Sequence, residues 1–169
     1  MDGREEEYQW AGPYLYSRQV VAVRSDSDIY TLQDLADKVV AVQSTTKPEE
    51  LFLNAEQNGL PRLRRLYSLQ NRDLIYTLIK GYADALATHE SAIRQFMKDY
   101  SVEYRILDEP LMTARLGVAF SKNRSDDLPQ QLTEVFQEML ADGTVRQIVS
   151  RYLDDPEHYL DGLEDSTHA

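Results

Sequence analysis

Apolar runs and helix-period segments take turns along this chain. Residues 19–24 (Gln-Val-Val-Ala-Val-Arg) predict a strand. Thr31 followed by Asp34 has the spacing of a capping box and opens a short helix through Lys38. Val39 to Val42, four apolar residues in a row, predict a buried strand. Pro48, Glu49 and Glu50 then start a helix over 48–58, which Gly59 ends. Pro61 to Tyr67 reads as a linker with a weak strand. Leu74, Ile75, Leu78 and Ile79 form one stripe of a helix over 71–80 that stops at Gly81. Ala83 to Ala87 predicts a short strand. A helix over 89–99 follows, with Ala92, Ile93, Phe96 and Met97 on one face. Residues 103–107 and 116–120 predict two more strands. Leu132, Val135, Phe136 and Met139 mark one closing helix. Val145, Ile148, Val149 and Tyr152 mark a second, and Asp142-Gly143 separates them.

Strands alternating with helices predict an α/β layer on a parallel sheet. Right-handed crossovers place the loops that follow the strands along one edge, where ligands sit in open α/β sheets. Two polar loops fall there: Gln43-Ser-Thr-Thr-Lys47 and Thr88-His89-Glu90. The first leaves a buried strand through three hydroxyl residues and enters a helix. Its first-turn amides and the helix dipole suit an anion such as a carboxylate. An ordinary strand-to-helix connection capped by Thr45 or Thr46 has the same pattern.

Charge sharpens this picture. The 169 residues carry 18 Lys and Arg against 29 Asp and Glu, a formal net charge of −11. Such a balance argues against nucleic acid or an anionic membrane surface as partner. Residues 154–169 are acidic without a Lys or Arg, and predict a solvated or frayed tail. There is no cysteine, so thiolate chemistry and disulfides are excluded. No apolar run approaches the roughly 20 residues of a membrane helix. The polar, acidic residues 1–10 do not read as a signal peptide, which leaves a cytoplasmic protein or a processed or partial chain. His89, His158 and His168 lack ligand spacing, and no glycine-rich phosphate loop or serine elbow is present. No metal, cofactor or catalytic residue is assigned.

Several segments resemble, in order, the bacterial extracellular solute-binding proteins of family 3, the polar-amino-acid type. Tyr8-Gln-Trp-Ala-Gly-Pro-Tyr14 is similar to the segment that leaves lobe one, and Gln19–Val23 to the hinge strand. Leu32-Gln-Asp-Leu-Ala-Asp-Lys38 with Val39–Val42 resembles the entry to the binding turn, and Gln43-Ser-Thr-Thr46 the turn itself. Gly81-Tyr-Ala-Asp84-Ala85, Leu116–Lys122 and Leu140-Ala-Asp-Gly-Thr144 resemble later family motifs.

The resemblance implies a type II periplasmic-binding-protein fold, mainly its second lobe. Residues 1–21 would be a lobe-one remnant and hinge strand, and 22–108 lobe two. Residues 109–153 would be the return hinge strand and C-terminal helices, and 154–169 the acidic tail. About 90 residues that build most of lobe one, judged against ordinary two-lobe sizes, would be absent. The implied function is non-enzymatic capture of a small polar or anionic solute, an amino acid or organic acid, outside the cytoplasm. The partners would be the membrane subunits of an ABC importer or, equally, a membrane signalling protein.

Expected solute contacts are Gln43, Ser44, Thr45, Thr46, Lys47, Thr88 and His89. Thr46 leads, through its hydroxyl and amide. Asp84 reads as structural, Glu90 as pointing elsewhere, and Trp10, Tyr14 and Tyr16 as packing between lobes. Two positions depart from the family pattern. His89 stands where an aspartate holds the ligand ammonium, and an imidazole cannot replace it, so an acid or other anion is favoured. Ser44 replaces the turn glycine and tolerates fewer backbone conformations. A dehydratase on the same fold, with His89 or Glu90 as general acid or base, is the enzymatic alternative. A degenerate lobe that serves only as a protein contact surface is another. Apolar surface left by a missing lobe predicts self-association, as a homodimer or by domain exchange. A monodisperse monomer in light scattering would count against that expectation.

Overall fold

The first strand, β1 (Tyr8–Arg24), is longer than its apolar run suggests and belongs to both halves of the chain. The structure is a computed structural model that describes residues 6–70, 77–153 and 155–163. It divides into two compact units, residues 18–112 and the segments on either side of them. The expected strand over 19–24 covers only the buried end of β1.

In the unit of residues 18–112, β1 is joined by β2 (Val39–Gln43), β3 (Arg65–Leu69), β4 (Ala85–His89) and β5 (Tyr104–Ile106), in the order β3-β2-β4-β1-β5. The sheet is mixed. β2 runs parallel to β3 and β4, while β1 runs antiparallel to β4 and β5. Apolar residues cover both faces. Val21, Val23, Val40 and Val42 pack with Ile29, Leu35 and Phe52 on one side. Val20, Ala22, Val39 and Ala41 pack with Leu78, Leu86 and Ile93 on the other. Two buried faces explain why these strands read as unbroken apolar runs.

The connections are shorter than the sequence predicts. The segment after Thr31 is a single 3-10 turn, Leu32–Leu35, not a helix through Lys38. The Asp34 carboxylate accepts from the Tyr30 and Thr31 amides and from the Thr31 hydroxyl, which together hold its pKa below the usual value. Helix α1 (Lys47–Leu53) ends five residues before Asn58. Side-chain amides of Asn54 and Asn58 take the carbonyls of Glu50, Leu51 and Asn54 and let the chain leave the helix as turns. Of the expected helix over 71–80, residues 71–76 lie outside the described residues and 77–79 are helical. The fourth strand begins two residues later than predicted because Asp84 is a clamp. Its carboxylate accepts the Val39 amide and its own amide donates to the Val39 carbonyl, both at 2.8 Å. Helix α2 (Glu90–Tyr100) follows β4 directly and stops at Ser101, which is left-handed at φ 51°.

In the other unit, β6 (Met112–Ser121) pairs with β1. A Cβ on Gly12, at φ 117°, would meet the Gly117 Cα at 3.2 Å, so this pairing needs glycine there. Helices α3 (Leu128–Ala141), α4 (Thr144–Val149) and α5 (Glu157–Leu160) complete it. Tyr14 meets Phe136 at 5.1 Å between ring centroids, Trp10 meets Tyr8 at 5.8 Å, and Tyr16 packs with the Leu140 cluster. The expectation of a frayed tail over 154–169 is corrected for residues 155–163; residues 154 and 164–169 lie outside the described residues. Tyr159, Leu160 and Leu163 are buried, the two leucines against Leu140 and Val145. Three apolar residues outweigh the charge of their neighbours there.

Leu160→Ala is therefore expected to destabilise this unit by about 2–4 kcal/mol, as a large-to-small core change does. Urea unfolding followed by fluorescence of Trp10, the sole tryptophan, measures it. An unchanged midpoint would restore the frayed tail.

Candidate functional site

The two loops singled out in the sequence leave neighbouring strands at the same edge. β2 and β4 are parallel with Val42 opposite Ala87, so the next step of the register brings Gln43 beside Thr88. The turn after β2 is held against β3 by the Ser44 amide, which donates to the Leu69 carbonyl at 2.9 Å.

Within the turn the polar groups have local partners. The Thr46 hydroxyl donates to the Gln43 carbonyl at 2.6 Å, and the Thr45 hydroxyl to the Ser44 carbonyl at 2.7 Å. Neither makes a side-chain cap of α1; Thr46 occupies the N-cap position by its backbone alone. The Thr45 amide donates to Glu49 Oε2 at 2.7 Å, and Ser68 bonds the other oxygen of that carboxylate. The Ser68 hydroxyl and the Thr45 amide hold the Glu49 carboxyl below its usual pKa. Lys47 pairs with Glu50 at 2.7 Å. The backbone demand that the sequence places on Ser44 falls one residue later: Thr45 has φ 59°, and Ser44 is not left-handed. A β-branched residue in that region costs about 1–2 kcal/mol, so the Glu49 and Ser44 bonds hold a strained turn.

His89 ends β4 opposite Gln19 of β1 and is the N-cap residue of α2, without a side-chain cap bond. The Gln19 side-chain amide lies 2.8 Å from His89 Nδ1. Partial burial lowers the His89 pKa, so the neutral ring that can accept this N–H is favoured. Glu90 does point elsewhere. It is 1 % exposed, between Arg94 Nη2 at 2.6 Å and Arg18 Nη1 at 3.1 Å. A carboxylate enclosed by two guanidiniums is a structural ion cluster and cannot reach a solute as an acid or base.

Gln19, Arg18, Arg94, Glu49 and Ser68 were not singled out in the sequence. The four-residue spacings Glu90–Arg94 and Thr45–Glu49 were available as helical signals. The meeting of Gln19 with His89 depends on a strand register set 70 residues away. Among the described residues no group of three or more His, Asp or Glu could hold a metal ion, and no helix is long and apolar enough to cross a membrane. His158 lies 3.6 Å from Asp155, and His168 is outside the described residues.

A profile of the bacterial extracellular solute-binding proteins, family 3, matches residues 1–155. The chain belongs to this family. The histidine-binding periplasmic protein of Escherichia coli K12 is 32% identical over 147 residues, covering 82% of this chain and 54% of that protein. A glutamate-binding protein of Corynebacterium glutamicum is 24% identical over 159 residues, covering 89% and 52%. The chain thus spans about half the length of these relatives. In fold it resembles a probable amino-acid ABC transporter extracellular-binding protein of Bacillus subtilis, with a TM-score of 0.76 at 23% identity over 92% of this chain and 68% of that one. The fold is that of a partial type II solute-binding protein of family 3, with a mixed α/β sheet.

The lowered pKa of His89 has a consequence for stability. The unfolded chain takes up the imidazole proton first as pH falls through the ordinary value near 6.5, so stability drops there. It levels off below the folded pKa, and the carboxylates with lowered values act at lower pH. His89→Gln is expected to flatten the drop that sets in as pH falls through about 6.5 in thermal-unfolding scans. An unaltered profile would mean that the ring is not held neutral.

Proposed function

We propose that the unit of residues 18–112, the expected lobe two of residues 22–108 within it, binds a small solute at the edge formed by Gln43–Lys47 and Thr88–His89. The full protein would deliver this solute to the membrane subunits of an ABC importer from outside the cytoplasm. Family membership supports solute capture over catalysis. The observation that carries the reading is the convergence of the two polar loops at the carboxyl ends of β2 and β4, beyond which ligands of open α/β sheets lie. In this reading Gln43, Ser44, Thr45, Thr46, Lys47, Thr88 and His89 are the contact set, with the Thr46 and Lys47 amides as donors.

The solute is a carboxylate or another small anion. Every acid of these two loops and the helical turns after them already has a partner: Glu49 with Thr45 and Ser68, Glu50 with Lys47, Glu90 with Arg18 and Arg94. An ammonium group would find no available carboxylate there, whereas an anion meets main-chain N–H groups and the edge of His89.

Thermal unfolding with glutamate, succinate and succinamide tests this. Glutamate or succinate at ten times Kd is expected to raise Tm by about 3–5 °C, and succinamide to leave it unchanged. His89→Asp, which sets a negative charge beside the turn, is expected to weaken succinate at least about ten-fold. Equal shifts from succinamide and succinate would refute the anion reading.

A further inference from the structure

The β3 edge of the sheet carries three features that the solute site does not use. The first is charge. In this unit Arg18, Arg24, Lys38, Lys47 and Arg94 each sit against a carboxylate. Arg62, Arg64 and Arg65 are exposed, and among the described residues none of them meets one. Arg65 instead bonds the Tyr67 hydroxyl at 3.2 Å and lies 5.4 Å from the centre of its ring. Three cations thus fall within four residues of a chain whose net charge is −11.

The second feature is a groove of about 680 Å³ beside them. Phe52, Leu53, Leu60, Leu63 and Leu66 supply its apolar wall, and Glu56 is its one acid. Leu53 is 70 % exposed, although Phe52 beside it is buried.

The third is main chain. β3 is the last strand of its sheet. The Leu69 carbonyl and the Arg65 amide bond inward, to Ser44 and Lys38. In a parallel ladder alternate residues face opposite sides, so Leu66 and Ser68 turn their N–H and C=O groups outward. Arg65 pairs with Val39, at the start of β2, which puts the arginines at the opposite end of the ladder from the solute turn.

We propose that this edge docks an extended, acidic and apolar segment of a partner protein, added as a strand along β3. Main-chain bonds to Leu66 and Ser68 give it direction. Alternate side chains place apolar groups against Leu53 and Leu63 and carboxylates against Arg62 and Arg64. Charge complementarity selects the acidic partner. A nucleic acid or lipid surface fits less well, because the molecule is acidic overall and the cations border an apolar groove with strand-shaped bonding groups.

The probe is a fluorescein-labelled peptide of about nine residues that alternates leucine with aspartate, read by anisotropy against the whole chain. Saturable binding is expected. It should weaken at least about ten-fold in Arg62→Glu/Arg64→Glu and with salt raised from about 0.1 to 0.5 M. It should weaken in Leu53→Asp, a change at an exposed site, and vanish when alternate peptide amides are N-methylated. Melting temperature and succinate response should stay at wild-type values in both variants. The proposal is overturned by equal binding of the N-methylated peptide, by equal affinity of the double arginine variant, or by no saturable binding up to about 1 mM. Capture of heparin or phosphatidylglycerol vesicles in place of the peptide overturns it in favour of a polyanion site.

Discussion

The position of β4 is the constraint on which the rest of the site depends. This short strand lies between a parallel neighbour, β2, and an antiparallel one, β1, and its Ala85, Leu86 and Ala87 are buried. Ala85 and Ala87 face one cluster and Leu86 the other, so a one-residue slip would drive the leucine into the space of an alanine. The Asp84 clamp on Val39 sets where the strand begins. Its end is then determined too, and Thr88 and His89 arrive beside the turn that follows β2. Neither loop would be aimed at the other without that pairing.

At the carboxyl end of the same strand, electrostatics take over from packing. Glu90 is placed by the start of α2 and answered by Arg94 one helical turn later and by Arg18 from β1. Burying a carboxylate this deeply is unfavourable unless its charge is met, and two guanidiniums meet it. The cluster also leaves that carboxylate compensated beside the solute edge. His89, one residue before it, lies against Gln19, and its partial burial favours the neutral ring.

Much of the architecture was legible in the sequence because its signals are local. The run Val39–Val42, the polar turn after it and the amphipathic stretch 90–100 have the lengths and periods that their structures need. The family resemblance and the role of Asp84 were legible too. What could not be read required partners distant in the chain or competition between neighbours. The early end of α1 depends on two asparagine side chains capturing carbonyls. The tail looked solvated because its acids outnumber its apolar residues, yet Tyr159, Leu160 and Leu163 are buried. In the turn, sequence pointed to Ser44 as the residue under backbone demand, while Glu49 reaches back and places it on Thr45.

The reach of β1 also bears on how the polypeptide is made. Gln19 pairs with a residue 70 positions later. At ordinary synthesis rates of about 5–20 residues per second, that neighbour emerges roughly 4–14 s after the first strand. Through this interval Val20 to Val23 have no sheet to join, and a nascent chain in this condition is a natural client for a chaperone that shields bare apolar strands.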